Sequence, residues 1–311
     1  MYDKNIKVSV IVLTYSQKDY IKQALDSILK QKTTFAYEIL VGDDASTDGT
    51  SDILRSYIES GNKSIRIFIR EKNMGATANL VDLFQHSNGK YIASCEGDDY
   101  WSDEYKLQKQ ANFLDAHPQY IGCTHSVTLV QKNGIPCKNQ KLKWILSKPQ
   151  YQLKDFRGLF LPGHPVSLMH RNIFTGNSSM CDLISKVHRN VADRTIAMLL
   201  AANGDIAWSK EQMACYRYNP QKGSSNLTSA EFAAGANSKL MEFRLTNQLE
   251  SYARVELRKH VSFNYFRINL LLRSLGKALL CGSREDFHCF IDMMKEWYEF
   301  YMHQARQSFQ N

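Results

Sequence analysis

Short apolar runs alternate with amphipathic segments over the first 95 residues of the chain. The apolar runs cover residues 7–15, 37–42, 65–69 and 91–95, and runs of this length that are rich in β-branched residues are typical of buried strands. Between them, apolar residues recur every three or four positions, which predicts three helices, the first with Ser16 as its N-cap. This alternation indicates a parallel sheet with helices on its faces.

After residue 102 the pattern becomes a mixture of strands and helices, and after residue 223 it is almost wholly helical. Three segments are therefore predicted, residues 1–102, 103–223 and 224–311. In the middle segment, helices are expected at residues 106–116, 153–161 and 193–202, and strands at residues 121–131, 166–169, 206–208 and 213–218.

Polar or acidic residues follow three of the predicted parallel strands. They are Thr14 and Tyr15 after the first, Asp43 and Asp44 after the second, and Glu96, Asp98 and Asp99 after the fourth. Because ligands of open α/β sheets bind beyond the carboxyl ends of the strands, these side chains are expected to share one edge of the sheet.

Three carboxylates lie within four residues, at positions 96, 98 and 99. Carboxylates so close together repel one another and need a counter-charge, for which a divalent cation is the usual choice. Gly97 lets the backbone come close to a bound group. These residues predict a metal-bound sugar nucleotide at this loop, and the alternative is an acidic turn that faces solvent.

Composition narrows the choice of partners. The chain has 311 residues, 43% of them hydrophobic, and a formal charge of +8 with a pI near 9.0. Such an excess favours phosphorylated ligands, an acidic membrane surface or nucleic acid. Nucleic acid is not expected, because the sequence shows neither a stacking platform nor a compact run of basic residues.

The cysteines and the apolar runs favour a cytoplasmic protein. The seven cysteines are odd in number and none forms a C-x-x-C pair, so a disulfide framework or a structural zinc site is not expected. The first residues lack a basic region that leads into an apolar one, so no signal peptide is expected. No apolar run reaches the ~18 residues of a membrane span.

Four motifs resemble, in order and spacing, those of glycosyltransferase family 2. They are VSVIVLTY at residues 8–15, VGDDASTDGT at 41–50, NMG at 73–75 and EGDDYW at 96–101. The resemblance implies a GT-A fold, which is α/β and Rossmann-like with a mostly parallel central sheet, here followed by a helical C-terminal region. It also implies inverting transfer from a nucleotide-activated sugar. A UDP-sugar is the expected donor, and a bacterial surface polysaccharide or its lipid-linked precursor is the expected acceptor.

The resemblance assigns the nucleotide and metal residues. Thr14, Tyr15, Asp44 and Asn73 are expected beside the nucleotide, with Asp43 the less certain member of its pair. Glu96 stands where the family has the first Asp of an Asp-x-Asp motif, and it is expected at the donor together with Asp98. Mn²⁺ or Mg²⁺ is expected on Asp98 or Asp99, and which of them contacts the metal directly stays open. Residues 1–102 would form the nucleotide-sugar half of the catalytic domain.

Residues 103–223 would form the acceptor half. Asp193 resembles the family's catalytic base, and the alternative is an ordinary helix N-cap. Arg217 lies in a stretch similar to a Tyr-Arg-x-His pattern, in which Asn219 replaces the histidine, and it is expected to pair with the diphosphate. Trp101 could stack on the acceptor sugar or simply pack, and His164 could meet the acceptor or be structural.

The C-terminal segment has two interpretations. Basic and aromatic residues mix over residues 260–277, which suits peripheral contact with the inner face of the plasma membrane. The alternative is that its apolar face packs on the catalytic domain or on a second copy, which would make a homo-oligomer. A second functional hypothesis is a catalytically silent sugar-nucleotide-binding module whose helical tail recruits partners.

Overall fold

The structure is a computed structural model that describes residues 6–176, 181–182, 184, 192–218, 238–255 and 257–308. The chain forms two compact units, Met1–Ser225 and Asn226–Asn311. The first unit contains one nine-stranded sheet that runs through both predicted halves of the catalytic domain.

Parallel strands form one side of this sheet, as the sequence predicted. Their spatial order is β3 (Ile65–Ile69), β2 (Ala36–Asp43), β1 (Ile6–Thr14) and β4 (Tyr91–Ser94). β1 is central and is paired in parallel with β2 and β4. The connecting helices are α1 (Ile21–Leu29), α2 (Thr50–Glu59) and α3 (Ala76–His86).

The other side of the sheet is mixed. It continues through β8 (Met169–Arg171), β6 (Tyr120–Val130), β9 (Asp205–Arg217) and β5 (Tyr100–Trp101), with β7 (Gln150–Tyr151) paired to β9. α4 (Lys106–Ala116) and α5 (Asp193–Asn203) pack beside it, and two short 3₁₀ helices span Leu153–Gly158 and Pro165–Ser167. The antiparallel pairing of β5 with β9 brings the loop after β4 to the end of β9.

The core explains why β1 organises the unit. Val8, Val10 and Val12 are fully buried, and they pack with apolar residues of α1 such as Ile21 and Leu25. A strand that is covered on both faces reads as a continuous apolar run, which is how the sequence revealed it. The carboxyl end of β1 therefore has a fixed position between its two neighbours.

Three local predictions are wrong. Ser16 is not a helix cap, because α1 begins at Ile21 with Tyr20 as its N-cap, and Ser16 takes a left-handed conformation with φ 53°. The strand predicted at residues 166–169 is a 3₁₀ helix followed by β8. The two strands predicted within residues 206–218 are one strand, β9, because its polar middle keeps its backbone pairing with β6.

The second unit contains α6 (Ser238–Val255), α7 (Asn264–Cys281) and α8 (Arg284–Ser308). Its core contains Phe243, Leu270 and Met293. The buried Arg267 pairs with Glu250 at 2.8 Å, which supplies the partner that a buried charge needs. Within the part of the chain that the structure describes, every helix is too short or too polar to span a bilayer.

Candidate active site

The end of β1 holds the loops that follow its two neighbours. The backbone N–H of Asp44, after β2, donates to the carbonyl oxygen of Thr14 at 3.0 Å. The backbone N–H of Gly97, after β4, donates to the carbonyl oxygen of Leu13 at 2.8 Å. The two acidic loops therefore lie on either side of β1 at the same edge of the sheet, as expected for parallel strands.

The buried carboxylate of Asp43 accepts hydrogen bonds from the loop that follows β2. Its Oδ1 accepts hydrogen bonds from the backbone N–H and hydroxyl of Ser46, and its Oδ2 accepts from the Ser51 hydroxyl. The side chain is fully buried. Ala45, the second residue after Asp43, has φ 64°, a backbone state that costs energy for a non-glycine residue and persists only where its surroundings hold it.

Asp44 joins this loop to the start of α3. Its two carboxylate oxygens accept from the backbone N–H groups of Met74 and Gly75, at 2.8 and 2.9 Å. The side-chain amide of Asn73 donates to the carbonyl oxygen of Asp44 at 3.2 Å. Each carboxylate oxygen retains a second lone pair, so the predicted nucleotide contacts of Asp44 and Asn73 are compatible with this arrangement.

Thr14 and Tyr15 differ in exposure. The Tyr15 side chain is 46% exposed, whereas Thr14 is buried and its hydroxyl has no hydrogen-bond partner. Gln17 donates a hydrogen bond to Asp98, and its own carbonyl oxygen is unpartnered. Gly97 packs against both, because a Cβ there would lie 2.3 Å from Gln17 Oε1 and 2.8 Å from Thr14 Oγ1.

The three carboxylates of the loop after β4 are crowded, with Asp99 buried and Glu96 and Asp98 half-buried. Burial, followed by the charges of Asp98 and Asp193, raises the pKa of Glu96 to about 8. Burial also raises the pKa of Asp98, although the Arg217 charge opposes this. The pKa of Asp99 lies well above its usual range because of burial and the charges of Asp98 and Glu96. Without a further cation, this cluster resists ionisation.

Arg217 provides the positive charge among these carboxylates. Its guanidinium lies over the rings of Tyr20 and Tyr100, at 4.5 and 5.4 Å from their centroids, and Nη2 donates to Gln23 Oε1 at 2.7 Å. Nε and Nη1 are buried and have no partner. Two fixed, unpaired donors next to an acidic loop match the predicted contact with a diphosphate.

His164 lies beside the acidic loop. Ligand atoms of Glu96, Asp99 and His164 lie within 4.8 Å of one another, and His164 Nδ1 is 3.8 Å from Asp99 Oδ2. The imidazole stacks on Tyr216 with centroids 3.9 Å apart. Burial lowers the pKa of His164 to about 3, so the ring is neutral.

Asp193 lies at the start of α5, near the acidic loop. It is the first residue of the helix, Ala192 holds the N-cap position, and the charge of Asp193 contributes to the raised pKa of Glu96.

Trp101 lies in the core. Its side chain is only 4% exposed, and the Lys106 ammonium lies 4.3 Å from its ring centroid. This burial fits the packing alternative for Trp101 and leaves little surface for a sugar.

The residues present suit a divalent cation. The donor set combines hard carboxylate oxygens with a neutral imidazole, and Asp99 Oδ2 is buried without a hydrogen-bond partner. An unpaired buried carboxylate oxygen is costly, and a bound cation would relieve that cost while compensating the crowded charge. Glu96, Asp98, Asp99 and His164 are the described residues that would hold it.

Sequence reasoning missed the residues that support the site. Gln17 and Gln23 are polar residues next to or within α1, and Tyr216 was noted only as part of a motif. Gln23 meets Arg217 across 194 positions, a contact that no local pattern reveals. The one available signal was a polar side chain three residues after the end of a buried strand, at Gln17.

The comparisons with known proteins agree with this geometry. The model of Glycosyl transferase family 2 matches residues 9–176, more than half of the chain. An uncharacterized protein of Mycobacterium tuberculosis is 40% identical over 127 residues, which cover 41% of this chain and 37% of that protein. The putative teichuronic acid biosynthesis glycosyltransferase TuaG of Bacillus subtilis is 35% identical over 132 residues, or 42% of this chain and 50% of TuaG. The matched segment thus spans half or less of these relatives.

One solved structure shows the fold over nearly the whole chain. TarS 1–349 of Staphylococcus aureus, in complex with UDP-GlcNAc, matches with a TM-score of 0.66 at 17% identity, covering 95% of this chain and 81% of that one. The mixed sheet with acidic loops at its edge is thus a GT-A fold. The chain belongs to glycosyl transferase family 2.

Proposed function

We propose that this enzyme transfers a sugar, with inversion, from a nucleoside-diphosphate sugar to a hydroxyl group of a glycan or a lipid-linked glycan. The observation that carries the proposal is that the two acidic loops and Arg217 meet at one edge of the sheet. Asp193, at the start of α5, is close enough for its charge to raise the pKa of Glu96. A UDP-sugar is the first candidate donor, because TarS of the same fold binds UDP-GlcNAc. The name of TuaG supports a surface-polymer acceptor.

Arg217 and the acidic loop would bind the donor and stabilise its leaving diphosphate. Negative charge builds on the leaving diphosphate as the glycosidic C–O bond breaks, and the bond's electron pair departs with the diphosphate oxygen. The unpaired Nε and Nη1 of Arg217 would donate to diphosphate oxygens and stabilise this charge. A bound divalent cation would supply further stabilisation of the same charge.

Asp193 would activate the acceptor. The acceptor oxygen forms a bond to the anomeric carbon on the face opposite the leaving group, and its proton passes to the Asp193 carboxylate. Such general-base assistance is typically worth about 10²–10⁴-fold in rate. The carboxylate lies in the first turn of α5. A single displacement of this kind inverts the anomeric centre.

The exposed face of α7 would place the enzyme on an anionic membrane surface. Tyr265, Ile268, Leu272 and Leu279 are 80%, 43%, 61% and 73% exposed, and their spacing puts them on one side of the helix. Residues 257–284 contain six lysines or arginines and no acidic residue. Arg267 is buried and paired with Glu250, and the other five are exposed. An apolar face flanked by basic residues suits anionic lipid better than another protein surface.

A cytoplasmic location at the inner face of the plasma membrane agrees with this surface. Each of the seven cysteines carries a free thiol, which fits a reducing compartment. A lipid-linked acceptor would be met at the same surface.

Turnover tests the proposal against the catalytically silent alternative. Hydrolysis of several UDP-, GDP- and dTDP-sugars would be measured with Mn²⁺ and with EDTA. The enzyme should release the nucleoside diphosphate from at least one donor, and only with the metal. Metal-dependent binding of a donor without any turnover, with or without added acceptor glycans, would favour a silent binding module.

A further inference from the structure

His164 stands where a cation would be held, although it is remote in sequence from the acidic loop. Its Nδ1 lies 3.8 Å from Asp99 Oδ2, and the ligand atoms of His164, Asp99 and Glu96 all lie within 4.8 Å of one another. Two ligand atoms on opposite sides of a Mg²⁺ ion stand about 4.2 Å apart. The distances between these three ligand atoms are therefore close to those between ligands of one bound cation.

The atoms that face each other in this cluster are Asp99 Oδ2 and His164 Nδ1. Asp99 is 1% exposed and its Oδ2 has no hydrogen-bond partner, while Oδ1 accepts from the backbone N–H of Arg217. His164 Nδ1 accepts a long, 3.3 Å hydrogen bond from the backbone N–H of Val166. Since Nδ1 accepts, it is the unprotonated nitrogen, the form of imidazole that binds metal ions. Nδ1 has a single lone pair, so a bound cation would replace this long hydrogen bond.

The segment that carries His164 is held rigidly. Gly163 packs so closely that a Cβ there would lie 2.6 Å from the Thr124 Cβ. The Ser167 hydroxyl donates to the carbonyl oxygen of His164 at 2.7 Å, and the imidazole stacks on Tyr216. A ligand held in place by its neighbours is what a preorganised metal site requires.

We propose that His164 is a nitrogen ligand of the divalent cation, beside Asp99, and that it biases the site towards transition metals such as Mn²⁺ and against Mg²⁺. Mg²⁺ prefers an all-oxygen shell, whereas imidazole adds affinity for transition metals. This role replaces the acceptor contact that the sequence suggested for His164. The proposal rests on the metal-assisted transfer proposed above, and it specifies how this chain would hold the metal.

Electron spin-echo spectroscopy of bound Mn²⁺ tests the coordination directly. The full chain would be loaded with Mn²⁺ alone and with Mn²⁺ plus UDP. The expected spectrum shows a nitrogen coupling of the imidazole type, which changes when histidine is labelled with ¹⁵N. The coupling should disappear in His164→Gln and persist in His170→Gln, a matched variant of another buried histidine. If His164→Gln does not fold, the labelled wild-type spectrum still tests the proposal, because a spectrum without histidine coupling would overturn it.

Metal selectivity provides an independent measurement. The ratio of Mn²⁺ to Mg²⁺ affinity should fall by about tenfold or more in His164→Gln, and it should be unchanged in His170→Gln. A wild-type Mn²⁺ spectrum without nitrogen coupling would overturn the proposal, as would a coupling that survives in folded His164→Gln. In either case, metal-dependent donor turnover would leave the proposed function standing. Failure of Mn²⁺ to bind, with or without UDP, would count against both.

Discussion

Asp99 and Arg217 are joined by a hydrogen bond from the backbone N–H of Arg217 to Asp99 Oδ1, at 2.9 Å, although 118 residues separate them. The bond ties the acidic loop after β4 to the end of β9, and it leaves Asp99 Oδ2 and the Arg217 Nε and Nη1 atoms unpaired. Asp99 Oδ2 and the two arginine donors are thus fixed in the same region. A bound metal would satisfy the carboxylate oxygen, and a diphosphate would satisfy the donors.

Asp193→Asn should separate turnover from donor binding. The amide cannot take the acceptor proton, so the rate constant of transfer should fall by about 10²–10⁴-fold. The dissociation constant of the donor should change by no more than about twofold, because Asp193 is proposed to touch the acceptor. The measurement is turnover combined with calorimetric donor titration.

Asp182→Asn is the matched control for Asp193→Asn, because Asp182 is an exposed acid upstream of α5. It should leave both turnover and donor binding unchanged. Loss of donor binding in Asp193→Asn would show that this carboxylate serves the donor, and full turnover in that variant would remove it from the mechanism.

Arg217→Lys should weaken nucleoside diphosphate binding. Lysine keeps the charge but loses the two separate donors at Nε and Nη1, which the guanidinium plane holds in fixed directions. Loss of hydrogen bonds to a charged group should raise the dissociation constant of UDP by about ten- to a hundredfold. The nucleoside alone should be affected little. The comparison is made by titrating UDP and uridine, with Arg55→Lys on the exposed face of α2 as control, and an equal loss for both ligands would contradict a diphosphate contact.

Lys106 should make stability depend on pH. Its side chain is fully buried, Nζ donates to Gln110 Oε1 at 2.7 Å, and burial lowers its pKa to about 8. In the unfolded chain the pKa of a lysine is about 10.4. Between these values the unfolded state binds the extra proton, so this group makes the free energy of unfolding rise with pH from about 8 to about 10.4.

Lys106→Met should remove that rise. Below pH 8 both states of the wild type carry the charge and the full burial cost is present, so the variant should gain most there, about 1–3 kcal/mol after the loss of the Gln110 hydrogen bond. Denaturant unfolding at pH 7 and pH 10 measures the difference, with the exposed Lys63→Met as control. A variant that keeps the wild-type pH dependence would show that Lys106 is not its source.

The α7 surface should bind anionic vesicles. Sedimentation with phosphatidylglycerol vesicles should capture the full chain at low salt. The double variant Leu272→Gln with Leu279→Gln should reduce capture by about tenfold, because each substitution removes apolar area that would be buried in the lipid. Ile58→Gln, an exposed residue of α2, is the control. If vesicles are not bound and the double variant instead turns a dimer into a monomer, the surface serves a second copy.

The parallel half of the sheet could be predicted from sequence because its inner strands, β1, β2 and β4, are largely buried and therefore read as continuous apolar runs. Residues 65–69 match β3 as predicted, and the position of Asp44 and Gly97 follows from strand order alone. By contrast, the environment of His164 depends on the pairing of β6 with β8 and β9, which local periodicity does not encode. The burial of Trp101 was equally hidden, because an aromatic pair after an acidic loop fits a packing role and a sugar platform alike.

Titration of nucleoside diphosphates into the enzyme, in Mn²⁺ and in EDTA, tests most directly whether the strand ends form one metal-assisted donor site. We expect at least one of UDP, GDP and dTDP to bind with Mn²⁺, and its affinity to fall by about tenfold or more both in EDTA and in Asp98→Asn. Binding of none of the three, or binding that neither EDTA nor Asp98→Asn weakens, would contradict the account.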